Sequence, residues 1–181
     1  MVVLHHLNNQ QYLRIVNYLY RNCDTVAFAL PNYGASHYFD TYINMKTVIT
    51  NQLEPKEVDR GNEAFQNYKN NVSPLLEELK ESIREVFTAT NYFGDIYTYE
   101  IETYILTFNE IVLDVLKRYE NLSVWRCPDL PEDLLFYNYY KMIAVSVTHE
   151  DEITIYDENI CGSTSELFNL LDTSNIDYVY Y

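Results

Sequence analysis

Tyr97-Thr98-Tyr99-Glu100-Ile101-Glu102-Thr103-Tyr104-Ile105 is the stretch on which the fold turns. Tyr97, Tyr99, Ile101, Thr103 and Ile105 alternate with Thr98, Glu100, Glu102 and Tyr104, a period of two. Successive side chains of a strand point to opposite faces, so this spacing predicts a half-buried strand. The competing reading is one long helix beginning near residue 97 and ending near 120. Asn109 favours strand followed by helix, because its side chain can cap a new helix. Ile111, Val112, Val115, Leu116 and Tyr119 then supply an apolar stripe, with Lys117 and Arg118 in the last turn as the helix dipole prefers.

Upstream, Ser73 and Pro74 read as the N-cap and first residue of another helix. Its stripe would be Leu75, Leu79, Ile83, Val86 and Phe87, with Glu77–Lys80 and Glu81–Arg84 as i,i+3 pairs on the wet face. Asn91 to Asp95 then reads as a turn. At the start of the chain, Asn8 or Asn9 can cap a helix to about Asn22, with Leu13, Val16 and Tyr20 on one face. Thr25-Val26-Ala27-Phe28-Ala29-Leu30 is a short apolar run of strand formers stopped by Pro31. Residues 31–40 read as loop, 41–52 fit either helix or strand, and 54–63 are a polar connection.

Downstream, Leu134–Tyr140, Met142–Thr148 and Ile153–Tyr156 are three apolar runs broken at Asn138 or Lys141 and at His149-Glu150-Asp151-Glu152. They predict a three-stranded antiparallel meander. Gly162-Ser163-Thr164-Ser165 can open a short helix through Leu167 and Leu171, and Ile176–Tyr181 reads as a terminal strand. The expected class is therefore α+β: a mostly antiparallel sheet with a C-terminal meander, packed against three or four helices. Residues 1–181 are expected to form one domain, with a subdivision near residue 122 as the alternative.

The net charge of −15 is unevenly distributed. Residues 1–60 balance, residues 61–127 sum to −5, and residues 128–181 carry eleven acidic groups against Lys141 alone, summing to −10. The last third is also rich in tyrosine and apolar residues, which argues for a folded acidic surface rather than a disordered tail. Such a surface repels nucleic acid and anionic membrane and attracts a basic protein. The 19 tyrosines have two readings: amphipathic packing, or a recognition surface.

Motifs for chemistry are sparse. Cys23, Cys127 and Cys161 are widely spaced, with no C-x-x-C pair and no basic neighbourhood to favour a thiolate. An odd cysteine count and a first segment without a secretory pattern point to a cytoplasmic protein. No apolar run approaches the roughly 18 residues of a membrane span. His149-Glu150 lacks the second histidine of a zinc-protease helix, since Ile153 stands there. His37 and Asp40 flank an aromatic loop but make only two ligands. Glycine-rich phosphate cradles are missing, and only four glycines are present. The expectation is a non-enzymatic chain with no cofactor and no metal. An enzyme or small-ligand site assembled in three dimensions around His37, Asp40 and His149 is the rival.

Trp125, Pro128, Pro131-Glu132-Asp133-Leu134-Leu135-Phe136 and Thr148-His149-Glu150 together carry a W…P-E-D-L…H-E pattern. This resembles a group of small acidic bacterial proteins of the polymorphic-toxin immunity type. The match covers roughly 30 residues, all at or beyond Trp125. The resemblance implies a cytosolic stoichiometric inhibitor without catalytic residues, in which those motif residues shape the sheet. Combined with the charge pattern, the expected function is a protein-binding inhibitor whose acidic face docks a basic toxin or nucleic-acid enzyme. Glu132, Asp133, Glu150, Asp151, Glu152, Asp157 and Glu158 are the expected contacts. A phage-type inhibitor that mimics DNA is the alternative within the binding class. Neither direct nucleic-acid binding nor membrane association is expected.

Overall fold

The computed structural model describes residues 1–31, 70–93, 97–119, 121, 124–125, 130–160 and 164–181. Within them the chain is α+β, with eight strands in one antiparallel sheet. The strands are β1 (Val2–His5), β2 (Thr25–Pro31), β3 (Ile83–Phe93), β4 (Tyr97–Thr107), β5 (Glu132–Asn138), β6 (Lys141–Val147), β7 (Glu152–Ile155) and β8 (Tyr178–Tyr180). The helices are α1 (Asn9–Asn22), α2 (helical residues 70–79), α3 (Glu110–Arg118) and α4 (Thr164–Thr173). The spatial order is β3-β4-β2-β5-β6-β7-β1-β8. The expected meander is β5-β6-β7, and β2 joins it to the β3-β4 hairpin by pairing with both β4 and β5.

One row of paired residues crosses the sheet: Ile83, Leu106, Val26, Phe136, Ala144, Ile155, Val2 and Tyr180. Leu106, Val26, Phe136, Ala144, Ile155 and Val2 belong to the main core, together with Tyr12, Ile15 and Leu19 of α1, Val112 and Leu116 of α3, and Leu167 and Leu171 of α4. The helices therefore cover this face. Burying that much aliphatic and aromatic surface is the main stabilising term of the fold. Trp125 lies in the same core, edge-on to Tyr119 at 5.1 Å between centroids, so the tryptophan of the motif is a packing residue.

The caps of α1 and α3 follow the sequence reading. Asn8 and Gln11 form a reciprocal capping box on α1, and Asn109 accepts the Val112 amide at the start of α3. Arg118, in the last turn of α3, forks onto both carboxylate oxygens of Glu78 at 2.6 and 2.8 Å and ties α3 to α2.

Three expectations are corrected. The helix read from Ser73 to Phe87 stops at Leu79. A single 3-10 turn (Lys80–Ser82) follows it, and Ile83 onward is β3. Ile83, Val86 and Phe87 fit a helical stripe, but pairing with β4 satisfies the backbone of an eleven-residue strand, and that wins. Ser73 lies inside the helix, which already includes residue 70. Asn91, Tyr92 and Phe93 belong to β3 rather than to a turn. The first strand, Val2–His5, was not anticipated. It is short and completes its ladder only with β7 and β8, which lie at the far end of the sequence.

Candidate functional site

Strand polarity sorts the charged residues into two ends of the sheet. β5 and β7 begin, and β1 and β6 finish, at the same end. This places Glu132, Asp133, Glu150, Asp151 and Glu152 together. Asp157 and Glu158 lie beyond the far end of β7, about 16 Å away at the rise of a strand. The seven candidate contacts thus form a group of five and a group of two.

In the group of five, Asp133 and Asp151 are built into the backbone. Asp133 sits at φ 52°, where β5 carries an extra residue against β2 between Ala27 and Ala29. Its Oδ1 accepts the Thr148 amide at 3.3 Å, and the adjacent Leu134 amide donates to the buried Ser146 Oγ at 2.8 Å. Short polar side chains tolerate this left-handed region, and bulges of this kind bend an edge into place. Asp151, at φ 54°, ends the 3-10 turn Thr148–Glu150. Its carbonyl accepts the His6 amide at 3.1 Å and its Oδ2 lies 3.2 Å from His6 Nδ1. His5 Nδ1 lies 3.5 Å from Glu152 Oε2, and Thr154 donates its hydroxyl to Glu152 Oε1. His5 and His6 are the imidazoles that meet this carboxylate group. Glu150 is exposed. For Glu132 and His149 the description is confined to the backbone, in β5 and in the 3-10 turn.

The group of two divides between core and solvent. Asp157 is 7% exposed and lies 2.7 Å from the Met1 ammonium, with the Tyr180 hydroxyl donating to its other oxygen at 3.3 Å. The bound ammonium holds its carboxyl below the usual carboxylate range, against the opposing effect of burial. Asp157 therefore anchors the first strand, whereas Glu158 remains mostly exposed.

The opposite end of the sheet holds a pocket of about 470 Å³ on the face turned away from the helices. Its floor is Ala27, Ile105 and Leu135, side by side on β2, β4 and β5. Phe87 closes one side and Tyr137 another. Tyr139 and Tyr140 stand at the rim, and Asp24, Arg84 and Glu85 bring charge to it. Burial pushes the Tyr137 phenol up from its ordinary value. His37 and Asp40 lie outside the described residues, and the His149 backbone lies in the 3-10 turn Thr148–Glu150 at the carboxylate end. Sequence reading missed the pocket because its residues come from four strands. The one local signal was the tyrosine pair between Asn138 and Lys141, where the meander had to turn.

Cys23 is buried, and desolvation followed by the nearby Asp24 pushes its thiol up to about 12, which suppresses thiolate chemistry there. Cys127 and Cys161 lie outside the described residues. Among the described residues, no group of three or more His, Cys, Asp or Glu is placed to hold a metal ion, and no helix is long and apolar enough to cross a membrane. No protein-family model, curated protein or solved structure matches the chain.

Proposed function

We propose that the chain is a non-enzymatic protein-binding inhibitor that docks a basic partner through the carboxylate-rich end of its sheet. The immunity protein of a basic toxin is its most concrete form. The observation that carries the reading is the convergence of Glu132, Asp133, Glu150, Asp151 and Glu152 on one sheet end, in the segment of net charge −10. A concentrated negative field of this sort steers a basic partner and raises its association rate. The W…P-E-D-L…H-E resemblance supports the same class. The geometry also divides the labour: Asp133 and Asp151 hold the turns, while Glu150 is exposed at the same sheet end.

The test is capture of binding partners from the native host by the wild-type chain and by a Glu132→Lys/Glu150→Lys variant, each eluted with rising salt. The reading expects a basic protein that is retained by the wild type, leaves at high salt, and is bound at least about tenfold more weakly by the variant. Equal retention by the variant contradicts the acidic-end reading. Reversing Asp151 as well would confuse binding with folding, because its backbone and side chain hold His6.

A further inference from the structure

We propose that the pocket at the tyrosine end is a binding site for a small organic cation with an apolar body. This site is separate from the carboxylate end and stands or falls independently of it. Three irregularities of the sheet converge on this one pocket. In β3, Arg84 is the extra residue of a bulge between Ile83 and Glu85. In β6, Ile143 is the extra residue where the register against β5 shifts between Phe136 and Tyr137. Between β5 and β6, Tyr139 and Tyr140 form a two-residue loop with φ of 46° and 71°. Bulges re-aim side chains beside functional sites, and strain in a bulky residue persists where the surroundings enforce it.

The two tyrosines are costly in that turn. A loop with both φ values positive favours Asn-Gly, and a ring-bearing residue pays for the left-handed region. Packing does not repay the cost, since Tyr139 is 77% exposed and Tyr140 is 96% exposed. Asp24 fixes the loop in place, its Oδ2 accepting the Tyr139 amide at 3.3 Å. The outcome is a pair of aromatic rings held out at the rim of a concavity with an apolar floor.

Size and charge select the ligand class. A volume of about 470 Å³ falls in the range of small-molecule sites, which are apolar and aromatic with a few convergent polar groups. Four of the lining residues are aromatic, and aromatic groups attract cations. The lining charges are Asp24 and Glu85 against Arg84, a balance of −1 within a chain of −15. Arg84 is partly engaged: it donates to Thr25 Oγ1 at 3.1 Å, and that hydroxyl donates onward to Asp24 at 2.7 Å. The local field thus favours a positive head group over an aromatic, aliphatic bed.

The test titrates the full chain with benzyltrimethylammonium and, separately, with benzoate, which share an aromatic body and differ in sign of charge. Calorimetry or NMR shift perturbation reads the binding. The expected result is 1:1 binding of the cation, with a dissociation constant on the order of 1 mM or tighter, and benzoate weaker by about tenfold. Leu135→Trp, which fills the floor, abolishes binding while circular dichroism confirms the fold. Glu85→Gln, on the exposed edge strand, weakens the cation about threefold and serves if Leu135→Trp fails to fold. Arg84→Gln tightens it. Tighter binding of benzoate, no saturable binding of the cation, or undiminished binding in folded Leu135→Trp or in Glu85→Gln overturns the proposal.

Discussion

The two ends of the sheet solve the same backbone problem differently. At the carboxylate end, His6, Asp133 and Asp151 occupy the left-handed region, and each is tied by a described hydrogen bond. At the tyrosine end, Tyr139 and Tyr140 occupy it with rings turned to solvent and only the Tyr139 amide held by a side chain. Irregular backbone at the first end is architecture; at the second it is an uncompensated cost. Charge alone would direct attention to the first end, whereas strain and exposure direct it to the second.

The largest expected effect comes from breaking the architecture. Ser146→Val removes the acceptor of the buried Leu134 amide beside Asp133 and leaves that N–H unsatisfied. It should cost about 2 kcal/mol in urea unfolding. A loss under about 0.5 kcal/mol would show that the bulge is not held in this way. Asp151→Ala loses the His6 contact and places Ala at positive φ, at a cost of about 1 kcal/mol.

Acid sharpens the contrast by acting at the anchor of β1. Asp157 has a folded-state carboxyl depressed below its unfolded value. Its contribution is therefore fully present above the unfolded pKa, near 4, and is lost as pH falls through the folded value. Urea midpoints measured from neutral pH downward should fall below pH of about 4, and Asp157→Asn should flatten that decline. A variant with the wild-type profile would remove Asp157 from the account. The smallest effect is expected at the exposed ion pair between α2 and α3. Glu78→Gln cuts the fork from Arg118 and should change stability by no more than about 0.5 kcal/mol, less at high salt.

Much of the fold was legible because local chemistry marks it. Asn8 and Asn109 announce helix starts, and the apolar runs of β2, β5, β6 and β7 are bounded by polar breaks. The misreading at Ile83–Phe87 arose because a short apolar stretch fits both periods, and only the partner strand β4 decides between them. β1 was hidden because four residues carry little periodicity and their partners lie at the other end of the chain. The acidic residues were visible, but not their division of labour: spacing cannot tell the buried Asp157 from the exposed Glu158 beside it. The pocket was invisible because Ala27, Ile105 and Leu135 become neighbours only through cross-strand register.

The most direct test of the claim that the tyrosine end carries uncompensated strain is the urea unfolding free energy of Tyr139→Asn/Tyr140→Gly, compared with wild type at neutral pH. The account predicts a more stable protein, by about 1–2 kcal/mol, because the loop gains residues suited to its dihedral angles and loses rings that bury little. A less stable protein would contradict it, showing that the two rings hold the hairpin together.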